Sequence, residues 1–374
     1  MKKKIILAVS LLSVISLTGC NSNLTTSEAT SATSVATTAT TSVEDSTVAT
    51  SENEPELVQE QLGFDIICPQ GAPGLALSTY LAPEKDSQRV QIGSPLNCVA
   101  ALKKGDANMV IFDSIKGTGF IESGVANYKL ASILTAGNAY VLSTGNDDND
   151  TIDTTDSIVS FGPGSMFNQI FKDTYGIDEL NVKASTAEAY TVAVTGKDAG
   201  EDVDYVLVAE PYVSQALSEN TEVTVKANLK TAWAAYSKSE GLNGGLGYED
   251  FPQAGVFISN QLEENTDVAV QANIANALAI IDQNAADLVS NDGANVLATI
   301  DKDTTDGIYD ATSTYGMDNA TLHSVIDSDE NVNGVTNALA FHTGNYDVNS
   351  FLNGANLEGF TAFDTSVFST YYNA

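Results

Sequence analysis

The stretch ICPQGAPGLALSTYL (residues 67–81) joins a short apolar strand to an apolar helix through a turn rich in proline and glycine. Pro73 suits the first turn of a helix, where its missing N–H leaves no bond unmade. Gly71 allows backbone conformations that other residues avoid, and it lets another group come close. The stretch therefore predicts a strand, a helix that begins at Pro73, and between them either a simple tight turn or a turn whose backbone meets a ligand.

This order of elements continues along the chain and then occurs a second time. Each copy reads strand, Gly/Pro turn, helix, strand, Ser/Thr turn, helix, strand. The strands of the first copy are predicted at Phe64–Cys68, Val90–Ile92 and Met109–Phe112, and those of the second at Ser157–Phe161, Asn181–Lys183 and Tyr205–Val208. Ser185 and Glu188 have the spacing of a capping box at a helix start. Strands that alternate with helices predict parallel pairing, and hence two α/β lobes.

Two apolar stretches without this alternation, residues 128–143 and 251–259, predict the crossover segments between the lobes. The Ala-rich, amphipathic stretch Val268–Leu288 predicts a long helix that packs back on the first lobe. The predicted organisation is a signal peptide at 1–19, a tether at 20–60, a first lobe made of 61–143 and 251–374, and a second lobe at 144–250.

The chain opens with MKKKIILAVSLLSVISLTGC (residues 1–20), a basic segment, an apolar segment too short to span a bilayer, and a small-residue ending. The LTGC ending resembles a bacterial lipobox, which predicts that Cys20 is lipidated and anchors the mature chain to the extracytoplasmic face of the cell membrane. The alternative is an ordinary signal peptide that contains a cysteine. Residues 21–60 hold no aromatic residue and predict a disordered tether.

The composition argues against nucleic acid as a partner and leaves the oxidation state of the cysteines undecided. The formal charge is −33, and removal of the three signal lysines makes it −36, so the surface repels nucleic acid. Arg89 is the single arginine of the chain. Apart from Cys20 the chain has only Cys68 and Cys98, which fit either two buried thiols or an extracytoplasmic disulfide.

The turns of the two copies hold the candidate ligand residues, because ligands of open α/β sheets bind at the carboxyl ends of the strands. Two such edges that face each other would form a cleft between the lobes. The predicted ligand residues are Gln70, Gly71, Ala72, Pro73, Ser94, Asp113, Ser114, Gly137, Asn138, Tyr140, Gly164, Ser165, Met166, Phe167, Glu210 and Tyr212. The alternative for each turn is a tight reversal without a ligand, and for Glu210 a solvated turn residue.

Several pieces of the chain together resemble the extracytoplasmic substrate-binding proteins of ABC importers, in the branch for nitrate, alkanesulfonates and thiamine-precursor pyrimidines. The pieces are, in order, PQGAPGLAL (69–77), KKGDANMVIFDS (103–114), YKLASILTAGNAYVLS (128–143), VSFGPGSMF (159–167), STAEAYTVAVTGK (185–197), VLVAEPYVS (206–214) and FPQAGVFIS (251–259). The resemblance implies a two-lobed, periplasmic-binding-protein-like fold of type 2 and a monomer that delivers a small molecule to a permease and its ATPase. Members of this branch often carry Trp where this chain has Ala136.

The sequence contains no recognisable catalytic motif. The two histidines, His323 and His342, both lie in the C-terminal part, away from the predicted cleft turns, and no zinc-protease or nucleophile-elbow motif occurs. We therefore predict a binding protein without cofactor or metal. The alternatives are a surface sensor without a transporter and an enzyme of thiamine-precursor synthesis.

The shortage of cationic side chains argues about the charge of the ligand: few of them lie near the predicted cleft. Sulfonate and phosphate favour arginine, and Arg89 precedes its strand at the end opposite the predicted cleft. Lys116 is the only lysine near a predicted cleft strand end. Aromatic residues lie on or beside the cleft segments at Phe112, Tyr140, Phe167, Tyr190 and Tyr212. These features favour a neutral or cationic ring-containing solute over a sulfonate or nitrate, although helix N-termini can also hold an anion.

Overall fold

The computed structural model describes residues 63–81, 89–147, 151–289 and 340–372. The predicted signal peptide, the predicted lipidation site Cys20 and the predicted tether lie outside these ranges. Among the described residues, none of the helices combines the length and the apolar character needed to cross a membrane.

The described residues form twelve strands and eleven α-helices. The strands are β1 (Ile66–Pro69), β2 (Val90–Gly93), β3 (Met109–Asp113), β4 (Tyr128–Ala136), β5 (Tyr140–Ser143), β6 (Ile158–Phe161), β7 (Asn181–Lys183), β8 (Lys197–Asp198), β9 (Glu201–Asp202), β10 (Tyr205–Val208), β11 (Thr224–Asn228) and β12 (Pro252–Ser259). The helices are α1 (Ala72–Leu75), α2 (Ser78–Leu81), α3 (Pro95–Lys104), α4 (Ser114–Glu122), α5 (Met166–Tyr175), α6 (Thr186–Thr195), α7 (Tyr212–Glu219), α8 (Leu229–Ser239), α9 (Asn260–Glu263), α10 (Val268–Val289) and α11 (Val348–Ala355).

Two five-stranded sheets have matching strand orders, β2-β1-β3-β12-β4 and β7-β6-β10-β5-β11. In each sheet the first strand of the repeat lies between the second and the third and runs parallel to both. An antiparallel strand, β12 or β5, lies beside the third strand and pairs on its other side with the outer strand. The repeat in the sequence is thus a repeat of topology, and the predicted two-lobed α/β fold class is confirmed.

The predicted crossover segments form strands of the two sheets rather than loops between them. β4 and β12 pair with each other in the first sheet, whereas β5 pairs with β10 and β11 in the second. Residues 140–143 were assigned to the first lobe from the sequence, but the chain changes sheets earlier, at residues 137–139. β5 is buried along its whole length, and β10 and β11 of the second sheet bond its backbone on both sides.

Local signals predicted the ends of two helices correctly and failed at a third. Gly105 ends α3 with a φ of 72°, and Gly196 ends α6 with a φ of 66°. Ser185 accepts a bond from the N–H of Glu188 (3.3 Å), but the Glu188 carboxylate accepts from the N–H of Ala184 rather than Ser185. The predicted helix from Pro73 is wrong as a single element, since it forms two four-residue helices, and the glycine at position 74 lowers helix propensity there.

The long helix α10 packs on the first lobe, as its amphipathic pattern predicted. Its buried residues Ile274 and Ile281 belong to the same apolar cluster as Ile66 of β1. The side-chain amide of Asn284 donates to the carbonyl of Ala76 (2.8 Å) and so ties α10 to the end of α1.

Candidate functional site

The first turn of the repeat touches the second lobe. Gly71 has a φ of 97°, and a methyl group there would lie 3.1 Å from Cδ of Pro211 and 3.5 Å from the carbonyl oxygen of Glu210. The backbone conformation therefore favours glycine, and the close approach of the other turn leaves little space for a side chain. The Glu210–Pro211 peptide bond is cis. The carboxyl ends of β1 and β10 thus face each other across this contact.

Hydrogen bonds join both crossovers to the Glu210 turn. The N–H of Asn138 donates to Oε1 of Gln253 (2.6 Å), and Nε2 of Gln253 donates to the carbonyl of Asn138 (3.2 Å). Oδ1 of Asn138 accepts from the N–H of Glu210 (3.2 Å). The predicted residues Asn138 and Glu210 therefore come together. Gln253 was missed, although a polar residue inside the apolar run FPQAGVFIS was the available signal.

The Glu210 carboxyl is a buried acid held by one neighbour. The residue is 6% exposed, and its two oxygens accept from the N–H (3.1 Å) and the hydroxyl (2.8 Å) of Ser214. Burial raises the pKa of Glu210 to about 7, and the bonds from Ser214 oppose this rise. Tyr140 is fully buried, and burial followed by the charge of Glu210 raises its pKa. Near neutral pH, Glu210 can thus serve either as a proton donor or as a carboxylate.

The rings predicted to flank a ligand divide into two groups. Phe112, Tyr140 and Phe167 are buried in the apolar core, and Phe112 stacks on Phe120 with ring centroids 6.5 Å apart. Tyr190 and Tyr212 stay half-buried and pair at 5.2 Å. Of the rings predicted to flank a ligand, only these two are not fully buried, and Tyr212 follows Glu210 by two residues.

The turn before α5 presents glycines and an unused serine. Gly162 and Gly164 have φ of 67° and 71°, and no heavy atom lies within 4 Å of a methyl group placed on Gly164. Ser165 is the N-cap of α5, yet its side chain makes no capping bond. Its hydroxyl is buried and has no hydrogen-bond partner in the described part of the chain. Met166 and Phe167 are buried in the first turn of the helix.

The end of β3 supplies a helix cap and a second unused serine. Oδ1 of Asp113 accepts from the N–H groups of Ile115 (3.0 Å) and Lys116 (2.9 Å), so this predicted ligand residue has a structural task. Burial raises the pKa of Asp113, and the charge of Lys116 lowers it. The hydroxyl of Ser114 is buried without a partner among the described residues.

Three further predicted residues have structural neighbours of their own. Ser94 is exposed at the end of the outer strand β2, where its hydroxyl donates to Oδ1 of Asn97 (3.2 Å). Gly137 has a φ of 80°, and a methyl group there would lie 2.9 Å from the side chain of Lys230. Gln70 follows β1, and its N–H donates to the carbonyl of Gly93 (3.0 Å).

The single tryptophan and the two thiols of the described residues are buried and have structural surroundings. Trp233 is fully buried in α8 between Tyr236, Tyr248 and Phe351. Cys68 and Cys98 are buried free thiols, and burial raises the pKa of Cys98 to about 12. Among the described residues no group of His, Cys, Asp and Glu could hold a metal ion.

One cavity of about 330 Å³ lies between β4, α10 and the C-terminal segment, and it contains none of the predicted ligand residues. It is lined by residues 131–133 of β4, four residues of α10, residues 344–346 and Tyr371. The turns of the repeat and this cavity are therefore separate places in the molecule.

Solved structures resemble the chain, whereas no family model and no curated protein matches it. A protein of Bordetella bronchiseptica RB50 is 16% identical with a TM-score of 0.51, covering 82% of this chain and 95% of that one. The ligand-binding component of an ABC-type import system from Staphylococcus aureus, with zinc bound, is 10% identical with a TM-score of 0.49, covering 83% and 99%. The periplasmic aliphatic sulphonate-binding protein SsuA of Escherichia coli is 15% identical with a TM-score of 0.47, covering 70% and 77%. At these identities the likeness concerns the fold.

Proposed function

We propose that this protein is a lipid-anchored solute receptor that binds a small organic molecule between its two lobes and delivers it to an ABC permease. The observation that carries the proposal is the contact of Gly71 with Pro211, which brings the carboxyl ends of two matching sheets together. Ligands of such sheets bind at these ends. The solved import components with this architecture add support for the coupling to a permease and ATPase.

The proposed mechanism is closure of the lobes around the solute. Residues 137–139 and the start of β12 are the places where the chain passes between the sheets, and the pair Asn138–Gln253 joins them. A ligand that contacts both lobes stabilises the closed arrangement by its differential affinity for it. The protein acts as a monomer and needs no cofactor in this proposal.

The favoured solute is a neutral or cationic heterocycle. Tyr212 follows Glu210 by two residues, and its half-buried ring pairs with the half-buried ring of Tyr190. A ring nitrogen or amino group can exchange a hydrogen bond with the Glu210 carboxyl in either protonation state. The strongly negative chain attracts cations over anions.

Mass spectrometry of the solute that co-purifies with the natively folded protein tests this proposal. We expect a small organic compound with a ring, released on unfolding and rebound with a Kd in the micromolar range or below, measured by titration calorimetry. The matched variants are Glu210→Ala, expected to lose binding, and Glu201→Ala at an exposed glutamate, expected to keep it. Retention of the solute by Glu210→Ala would move the binding site elsewhere.

A second candidate is a receptor for a sulfonate-type or nitrate-type anion. The position of Lys116 favours it, since Nζ lies 3.8 Å from the point where a methyl group on Gly162 would be. A cationic side chain thus reaches the second lobe, which the sequence alone did not indicate.

A further inference from the structure

We infer that the cavity of about 330 Å³ between β4, α10 and the C-terminal segment (residues 340–372) is a second binding site, which takes a primary amine with a small apolar body. This inference goes beyond the proposed receptor function, because the cavity contains none of the turn residues assigned to the cleft. Its volume lies at the lower end of the range of small-molecule pockets, roughly 300–1,000 Å³. The occupant is therefore a small compound rather than a peptide segment.

The helix α10 has two apolar faces, and the core of the first lobe covers only one of them. The covered face includes Ile274 and Ile281, which are fully buried. The second face lines the cavity and consists, at the helical spacing i, i+3, i+4, i+7, of Ala275, Leu278, Ala279 and Asp282. Ala275 and Ala279 are exposed, so this face offers apolar surface to a ligand.

A carboxylate without a bonded partner lies at the end of the second face. Asp282 has no hydrogen bond and no ion pair in the described part of the chain. Although the residue as a whole is exposed, desolvation of its carboxyl raises the pKa of Asp282, and the charge of His342 opposes this rise. The described residues that line the cavity include no lysine and no arginine. A cationic ligand would supply the charge that this carboxylate lacks.

The strand β4 contributes a hydroxyl that also lacks a partner. Ser132 lines the cavity, and its Oγ is buried without a hydrogen-bond partner among the described residues. Burial of an unpaired hydroxyl is unfavourable, and its lone pairs can accept from an ammonium N–H. A primary ammonium has three N–H donors, enough for Ser132 and Asp282 together.

Two tyrosine rings line the side of the cavity that the C-terminal segment forms. The hydroxyl of Tyr371 donates to Gln271, and the hydroxyl of Tyr346 donates to the carboxylate of Asp250. Because both hydroxyls are bonded within the chain, the part of each tyrosine that remains for a ligand is its ring. Aromatic rings attract cations, so they favour the same charge as the carboxylate.

Calorimetric titration of the purified full chain at pH 7 with benzylamine, benzyl alcohol and benzoate tests the inference. Benzylamine is cationic at this pH, and we expect it to bind at least tenfold more tightly than neutral benzyl alcohol, whereas benzoate should not bind measurably. Glu210→Ala should bind benzylamine like the parent, which separates this site from the cleft.

Two substitutions remove the polar partners of the amine. Asp282→Asn should weaken benzylamine binding about tenfold, the lower end of the range for a hydrogen bond to a charged group, because the residue is partly exposed. Asp287→Asn, on the same helix but outside the cavity lining, is its matched control. Ser132→Ala should weaken binding about fivefold and leave the Tm unchanged, since its hydroxyl has no partner among the described residues. Ser78→Ala, another buried serine without a partner in this part of the chain, should change neither.

A third substitution blocks the cavity sterically. Ala279→Leu fills it from the second face of α10 and should abolish benzylamine binding, whereas Ala272→Leu, also exposed on α10 but outside the cavity lining, should keep it. The inference is overturned if benzylamine does not bind, if benzyl alcohol binds as tightly, or if Asp282→Asn and Ala279→Leu bind benzylamine like the parent. Each of these results would leave binding of the co-purified solute in the cleft unaffected, so the receptor function would still stand on its own test.

Discussion

Glu210 shows how much a single residue depends on its surroundings. From the sequence it was a turn residue beside a proline, with a solvated alternative. In the structure its backbone N–H bonds to Asn138 and both carboxyl oxygens bond to Ser214, so burial and bonding act on it together. No local sequence pattern predicts the hydrogen bond between Glu210 and Asn138, because Asn138 is 72 residues away along the chain.

The pKa of Glu210 predicts how stability changes with pH. Its pKa in the folded protein, about 7, is above the ordinary value of 4.5, so folding favours the protonated form. The resulting stabilisation is present below about pH 4.5 and is lost as the pH rises through about 7, a difference of about 3 kcal/mol.

Urea unfolding at pH 5 and pH 8 measures this loss for the parent and for Glu210→Gln. The free energy of unfolding should fall between these pH values in the parent, and the fall should be about 3 kcal/mol smaller in Glu210→Gln. Glu201→Gln, at an exposed site, should follow the parent. An identical pH profile for Glu210→Gln and the parent would contradict the raised pKa.

At the scale of elements, features fixed by neighbouring residues could be predicted and features fixed by distant partners could not. Gly105 ends α3 and Ser185 caps α6 because capping depends on the residues next to each helix end. The antiparallel places of β5 and β12 depend on strands far along the chain, such as β12 with β4. Apolar strands of this kind are also buried on both faces and carry no alternation that reveals their direction.

The turn between β1 and α1 yields a prediction about the contact of the lobes. Gly71 has a φ of 97° and ψ of −150°, a region almost restricted to glycine, and a methyl group there would lie only 3.1 Å from Cδ of Pro211, so the proline ring would have to shift by a few tenths of an ångström. Gly71→Ala should lower the free energy of unfolding by about 2–3 kcal/mol.

Gly105→Ala is the matched control for this substitution. Gly105 also has a positive φ, 72°, but no atom lies within 4 Å of a methyl group placed there. Its cost should be about 1 kcal/mol, from the backbone conformation alone. Equal urea midpoints for the two variants would mean that the contact with Pro211 adds nothing.

At the scale of the whole molecule, the two lobes followed from a repeat that was visible in the sequence, because equal orders of elements gave equal strand orders in both sheets. The contact of Lys116 with the second lobe did not follow, since it depends on how the lobes lie against each other. The predicted lipidation of Cys20 depends on neither lobe.

Lipidation at Cys20 predicts a change of compartment. Cys20→Ala should leave the protein unprocessed or release it into the medium, and it should lose incorporation of labelled palmitate. Cys68→Ala, at a buried thiol, is the control and should keep both the label and the membrane fraction. Labelled, membrane-bound Cys20→Ala would rule out the predicted site.

Closure of the lobes predicts a measurable change of shape. In the proposed mechanism the solute contacts both lobes, so its binding shifts the population toward the compact arrangement. The size of this shift equals the difference between the binding free energies of the solute in the two states. Small-angle scattering of ligand-free protein should therefore give a larger radius of gyration than the same sample saturated with the co-purified solute. The solute should not change the scattering of Glu210→Ala, which loses a predicted contact with it. An unchanged profile of the parent, with binding confirmed by calorimetry on the same sample, would exclude closure as the mechanism, because a solute that bridges two movable lobes cannot bind without bringing them together.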